Sequence, residues 1–165
     1  MKVKGTVIKF GDNIDTDVIL PGKYLVLTDP KELAQHAMAG LDETFPQKAK
    51  KGVIVIGGKN FGCGSSREQA PIALKHAGVQ CVLAESFARI FFRNSINIGL
   101  PVLEAKGITA VAENGDKLEV NLETGKVQNL TKQTSLQANK LPAFIMEILS
   151  DGGLIENLKK RVKTK

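Results

Sequence analysis

Polar and apolar positions alternate across residues 3–10, where Val, Thr and Ile interleave with Lys, and this predicts a half-buried opening strand. Residues 11–22 break the alternation with turn formers and crowd Asp12, Asp15 and Asp17 together, a carboxylate-rich loop. A helix follows, with Thr28 or Asp29 as its cap, Pro30 in its first turn, Gly40 just past its end, and Leu33, Ala37 and Met38 on the buried face. Residues 48–51 close a polar connection. Gly52-Val53-Ile54-Val55-Ile56-Gly57 is then a continuous β-branched run bounded by glycine, the pattern of a strand covered on both faces in the middle of a sheet.

Beyond a glycine-rich loop, residues 66–77 read as a helix, 80–84 as a second buried strand, 86–98 as a helix capped by Ser86, and 101–103 as a third short strand. Strands alternating with helices imply parallel pairing through right-handed crossovers. The alternation in residues 117–122, between turns at Glu113-Asn114-Gly115-Asp116 and Glu123-Thr124-Gly125, predicts a β-hairpin. Residues 142–149 are helical and end at Gly152 and Gly153. The fold class is therefore α/β: one domain over residues 1–158 with a mixed, partly parallel sheet and helices packed on it. Residues 159–165 form a basic tail expected to fray.

Composition narrows the class. With 165 residues, 42% of them apolar and 24% charged, the chain is a single ordinary domain. A domain of this size buries roughly 70% of the surface its unfolded chain exposes, enough for a core without disulfides or structural metal. No apolar run approaches the roughly 20 residues that cross a bilayer, and Met1-Lys2-Val3-Lys4-Gly5 lacks the features of a signal peptide. A cytoplasmic location without membrane association is expected.

The formal charge is +6, yet five of the basic residues are Lys159, Lys160, Arg161, Lys163 and Lys165. Without them, 18 basic residues face 17 acidic ones, so the body is nearly neutral and nucleic-acid binding is not expected. Cys63 and Cys81 can build neither a disulfide framework nor a four-cysteine metal site. His36 and His76 stand singly on predicted helices and read as surface or packing residues, so no metal site is expected in this chain.

The segment that carries chemistry is Gly57-Gly58-Lys59-Asn60-Phe61-Gly62-Cys63-Gly64-Ser65-Ser66-Arg67-Glu68-Gln69-Ala70-Pro71, joining a buried strand to a helix. Such a loop presents unpaired N–H groups at a helix start and so binds an anion. Gly62-x-Gly64-x-x-Arg67 lacks the third glycine of a dinucleotide fingerprint and the Gly-Lys-Ser/Thr of a P-loop, which disfavours nucleotide phosphate. An arginine in a first helical turn is opposed by the helix dipole, and its fork suits a carboxylate. A small carboxylic acid fits better. Ser65 and Ser66 each have a plain reading as helix caps. The functional reading places Ser65 against a ligand whose carboxylate Arg67 holds, where N–H donors favour its ionised form and let it act as a base. Cys63 competes as a nucleophile, but no histidine is tied to it by spacing and Gly-x-Ser-x-Gly is absent.

Three motifs together, Asn60-Phe61-Gly62-Cys63-Gly64-Ser65-Ser66-Arg67-Glu68, Gly11-Asp12-Asn13-Ile14-Asp15-Thr16-Asp17 and Phe87-Ala88-Arg89-Ile90-Phe91-Phe92-Arg93-Asn94-Ser95, resemble the small subunits of 3-isopropylmalate dehydratase in the aconitase superfamily. The resemblance implies a swivelling β/β/α domain whose partner is a large subunit carrying a 4Fe–4S cluster, with none bound by this chain. It implies reversible dehydration of a 2-hydroxy acid in leucine biosynthesis, interconverting 2-isopropylmalate and 3-isopropylmalate, with the cluster's open iron as Lewis acid. Carried over by position, Ser65 is the base, the Ser66 and Arg67 amides stabilise its charge, and the Arg67 side chain grips a substrate carboxylate. Cys63 and Gly64 support the loop, and Asp17 pairs with a histidine across the subunit interface or simply turns its own loop.

The same resemblance assigns substrate choice to residues 24–28. Relatives acting on a substrate with an extra carboxylate carry an arginine near Val26; here Val26 and Leu27 offer an apolar wall that suits an isopropyl group. Leu25 and Leu27 also have a plain reading as packing under the loop. The alternatives are a related hydro-lyase subunit, acting on homoaconitate or a methylated malate, and a carboxylate-binding module without catalysis. Arg89 and Arg93, one helical turn apart, face the site or solvate their helix. Self-association of the isolated chain stays open.

Overall fold

In the computed structural model, which describes residues 1–163, the opening alternation becomes β1 (Lys2–Lys9) and the β-branched run becomes β2 (Val53–Gly57), buried at every position. With β3 (Val79–Ala84) and β4 (Val102–Glu104) they form a parallel half-sheet ordered β4-β3-β2-β1. The other edge of β1 pairs antiparallel with β5 (Lys117–Asn121), and the sheet continues through β6 (Lys126–Asn129) to β7 (Thr134–Gln137). The sheet is thus mixed, as its sequence pattern predicts. Its centre is β1 rather than β2, because β1 alone carries both kinds of ladder. Gly5 permits that: a Cβ there would lie 2.9 Å from the Val53 carbonyl carbon.

The helices are α1 (Thr16–Ile19), α2 (Pro30–Ala34), α3 (Phe45–Ala49), α4 (Gln69–Ala77), α5 (Arg89–Asn97), α6 (Ile108–Val111), α7 (Ala143–Ser150) and α8 (Leu154–Lys163), with a 3-10 turn at Gly22–Tyr24. Asp29 is the cap of α2, accepting from the Lys31 N–H at 3.0 Å. That helix is shorter than its pattern suggests, because Met38 takes φ +59° and donates its N–H to the Ile19 carbonyl at 2.7 Å. One core joins sheet and helices. Val53, Ile54, Val55 and Ile56 are buried in it, each contributing about 1.5–3 kcal/mol.

Four sequence expectations are corrected. The helix expected at residue 66 begins at Gln69, so Ser66 is not its cap and Arg67 precedes the first turn. The helix expected at residue 86 begins at Arg89, because the Ser86 hydroxyl instead accepts the Asn60 N–H at 2.8 Å. The connection through residues 45–49 is α3, whose Phe45 and Ala49 are buried one turn apart. Residues 159–163, read from the sequence as a tail apart from the domain, are the end of α8. Asn157, buried, donates to Asp151 at 2.8 Å, and Lys160 pairs with Asp151 at 3.2 Å. Cations near a helix C-terminus also complement its dipole. The remainder of the tail, residues 164–165, lies outside the described residues. No described helix is long and apolar enough to cross a membrane.

Candidate active site

The loops that follow β1, β2 and β3 all leave the carboxyl edge of the parallel half-sheet, where open α/β sheets bind ligands. Backbone hydrogen bonds lash them together. Gly58 N–H to Gly11 O (3.0 Å), Asn13 N–H to Lys59 O (2.8 Å), Gly62 N–H to Ile14 O (2.7 Å) and Thr16 N–H to Cys63 O (2.8 Å) join the first loop to the second. Phe61 N–H to Ser86 O (3.0 Å) and Ala88 N–H to Phe61 O (2.9 Å) join the second to the third. Phe61 is buried at the junction, edge-on to Phe87 and Phe91 at 6.0 and 5.4 Å between centroids.

This lashing needs glycine at one place above all. Gly62 has φ +83°, and a Cβ on it would run into the Phe91 side chain. The chain then turns through Gly64, at φ +93°, and presents Ser65 and Ser66 to solvent. The buried Thr16 donates its hydroxyl to the Ser65 carbonyl at 2.8 Å, holding that peptide from behind. Among the described residues, the N–H groups of Ser65, Ser66 and Arg67 donate no hydrogen bond. They stand just before α4, whose N-terminus has no side-chain cap.

Arg67 is the hinge of the electrostatics. Its Nη1 donates to Asp17 Oδ1 at 2.8 Å and to the Leu20 carbonyl at 3.1 Å, and its side chain is only 18% exposed. Both contacts use Nη1; among the described residues the Nε–Nη2 side of the fork has no hydrogen-bond partner. The Asp17 carboxylate is held below the usual aspartate range by this arginine first and by the Gly22 N–H second. Within the chain Asp17 therefore pairs with Arg67, a contact between positions 50 apart that no local pattern shows.

A cleft of about 160 Å³ gathers these groups: Thr16, Gly64, Ser65, Ser66 and Arg67 from one side, and Arg89, Ile90 and Asn94 of α5 from the other. Sequence reasoning singled out Ser65, Ser66 and Arg67 and left Arg89 undecided; it missed Thr16, Ile90 and Asn94. Larger hollows lie between β1 and α3, lined by Thr6, Ile8 and Lys117, and beside Leu141 and Met146. Neither is lined by a serine or an arginine, whereas the smaller cleft brings two of each together, so it is the candidate site.

Val26 is outside the cleft lining and 83% exposed, while Leu25 and Leu27 are half-buried against the core. Their segment is tethered at Tyr24, whose ring stacks on His36 at 3.7 Å and 7°, with Lys23 Nζ 5.2 Å above it. His36 is a packing residue, and His76 lies with Nδ1 3.0 Å from the Ile72 carbonyl. Cys63 is half-buried beside the cleft. Cys81 is buried in β3, which pushes its thiol far up. No group of three or more His, Cys, Asp or Glu is gathered among the described residues.

Residues 9–107 match the model of the aconitase C-terminal domain family. A curated relative from Methanocaldococcus jannaschii, the isopropylmalate/citramalate isomerase small subunit, is 61% identical over 97% of this chain and 95% of its own. The 3-isopropylmalate dehydratase small subunit of Halothermothrix orenii is 54% identical, covering 99% of both chains. Among solved structures, a 3-isopropylmalate dehydratase chain from Methanocaldococcus jannaschii superposes with a TM-score of 0.94 at 48% identity, covering 99% of this chain and 97% of that one.

Proposed function

The chain belongs to the aconitase C-terminal domain family, and from that premise we propose that it is the small subunit of a 3-isopropylmalate dehydratase, a hydro-lyase that works with a large subunit. In this reading the assembled enzyme interconverts 2-isopropylmalate and 3-isopropylmalate by dehydration and rehydration, the isomerisation step of leucine biosynthesis. The observation that carries it is the Ser65 hydroxyl, exposed in a cleft with two arginines, no acidic lining residue and unpaired N–H groups beside it.

Ser65 Oγ, ionised, takes the proton from the substrate carbon and returns it on rehydration. An alkoxide is costly in water, and here the Ser66 and Arg67 N–H groups and the positive end of α4 offset that cost. The Nε–Nη2 side of Arg67 receives a substrate carboxylate, with Asp17 and the Leu20 carbonyl holding the guanidinium plane from its other end. Thr16, Cys63 and Gly64 keep the loop in register behind the serine.

Two cysteines, one of them buried in β3, are too few for the three thiolates of a cluster with an open iron, which supports assigning the family's iron–sulfur cluster to the large subunit. When bound there, it supplies the Lewis acid for the substrate hydroxyl. This chain supplies the opposite wall, the base and the carboxylate grip.

The Methanocaldococcus jannaschii relative, whose name includes citramalate, favours a second substrate, a methylated malate. The aliphatic Val26 suits both alkyl groups, since an apolar wall discriminates between them by only about 1–3 kcal/mol. Anaerobic hydration of isopropylmaleate, methylmaleate and cis-homoaconitate by the two subunits tests the assignment. Turnover of isopropylmaleate is expected; exclusive turnover of cis-homoaconitate overturns the substrate, and no turnover with an intact cluster overturns the enzyme.

A further inference from the structure

Arg89 is the first residue of α5, three positions after the serine whose backbone and hydroxyl fasten that helix to the glycine loop. Its side chain lines the same cleft as Ser65, Ser66 and Arg67. It is exposed, and among the described residues it has neither a carboxylate partner nor a hydrogen bond. Helix stability does not explain it there: a guanidinium in a first helical turn stands at the positive end of the dipole, and α5 carries no acidic residue in that turn to offset it.

Charge balance says what the residue is for. Asp17, outside the cleft lining, already offsets the charge of Arg67, so Arg89 is the cleft's unpaired positive charge among the described residues. A dicarboxylate carries two negative charges. We infer that Arg89 is a second substrate-binding arginine, contacting a carboxylate of the bound dicarboxylate and selecting dianions over monoanions. Its whole fork is available, whereas Nη1 of Arg67 is already engaged. Ile90, the next residue and 51% exposed, gives the same wall an apolar patch for the alkyl group. Arg93, one turn further on, does not line the cleft and supplies the control.

This inference rests on the dehydratase reading, and its test separates the two. In the assembled enzyme, Arg89→Gln raises KM for isopropylmalate by roughly 10–100-fold with kcat within about threefold, the signature of lost uniform binding. Arg89→Lys, which keeps a charge but not the fork, recovers part of the KM, and Arg93→Gln changes neither constant. Inhibition constants give a second readout: the native enzyme prefers malonate over acetate, and Arg89→Gln erases most of that preference. An unchanged KM and an unchanged malonate-to-acetate ratio overturn the inference. So does a fall in kcat and melting temperature with KM and that ratio preserved, the mark of a structural role. If Arg89→Gln fails to assemble, the Arg89→Lys ratio decides by the same criterion. Loss of turnover in Ser65→Ala beside an unaffected Arg89→Gln overturns this inference alone; retained turnover in Ser65→Ala overturns the base assignment whatever Arg89 does.

Discussion

Asp17 and Arg67 form an ion pair of 2.8 Å that joins the loop after β1 to the loop after β2. The pair fixes the arginine's reach before any ligand arrives, which lowers the ordering cost of binding. It also gives the site a pH signature. Because the folded carboxyl titrates below its ordinary value of 3.8, its contribution is fully present above that pH and is lost as pH falls through the lower, folded value. Arg67→Gln is expected to move the Asp17 titration, followed by NMR of its carboxyl carbon, back up towards the ordinary value, leaving only the Gly22 N–H to depress it. An unmoved titration would mean the arginine is not its main partner.

Thr16→Val tests the support behind Ser65, the proposed base. The substitution removes the hydroxyl that donates to the Ser65 carbonyl at 2.8 Å while keeping volume nearly constant. A loss of about 0.5–1.5 kcal/mol in urea unfolding is expected. Because the Ser65 peptide is then free to shift, kcat of the assembled enzyme falls about tenfold with KM little changed.

Gly62→Ala strikes the junction of all three loops. The left-handed φ of +83° and the collision with Phe91 act together, and about 1–3 kcal/mol of stability is lost. The same change at Gly115, also at positive φ but with open space around it, costs less. Equal melting shifts for the two variants would contradict the packing account.

Val26→Arg tests the proposed specificity segment. The exposed valine accepts a longer side chain without disturbing the core. In the assembled enzyme kcat/KM for isopropylmalate falls by roughly 10–100-fold, while a substrate bearing a further carboxylate gains. An unchanged ratio would move substrate choice elsewhere, with Ile90 the first place to look.

Elements whose own residues set their pattern were legible in the chain. β2 and β3 announce themselves because both faces are covered, and the turns around β5 mark a hairpin. β7 was hidden because Thr134–Gln137 is a short, mostly exposed edge strand with no apolar alternation. α8 was hidden because Lys159, Lys160 and Arg161 read as a solvated run, whereas Asp151 and Glu147, on neighbouring α7 and its end, pair with Lys160 and Arg161. The misplaced start of α5 has a tertiary cause. Ser86 looks like a cap, but its hydroxyl has a tertiary partner in Asn60, which competes with the local role. The site was half legible: the glycine spacing exposes the loop, but Thr16 and Arg89 reach the cleft from elements 49 and 24 positions from Ser65 in the chain.

The most direct test of the central claim is the turnover of Ser65→Ala in the complex of both subunits with an intact cluster. With Ser65 as base, kcat falls by roughly 10²–10⁴ while KM stays within a few-fold, because the carboxylate grip of the cleft is untouched. Turnover within a few-fold of the native rate would contradict the account and assign the proton transfer to another group.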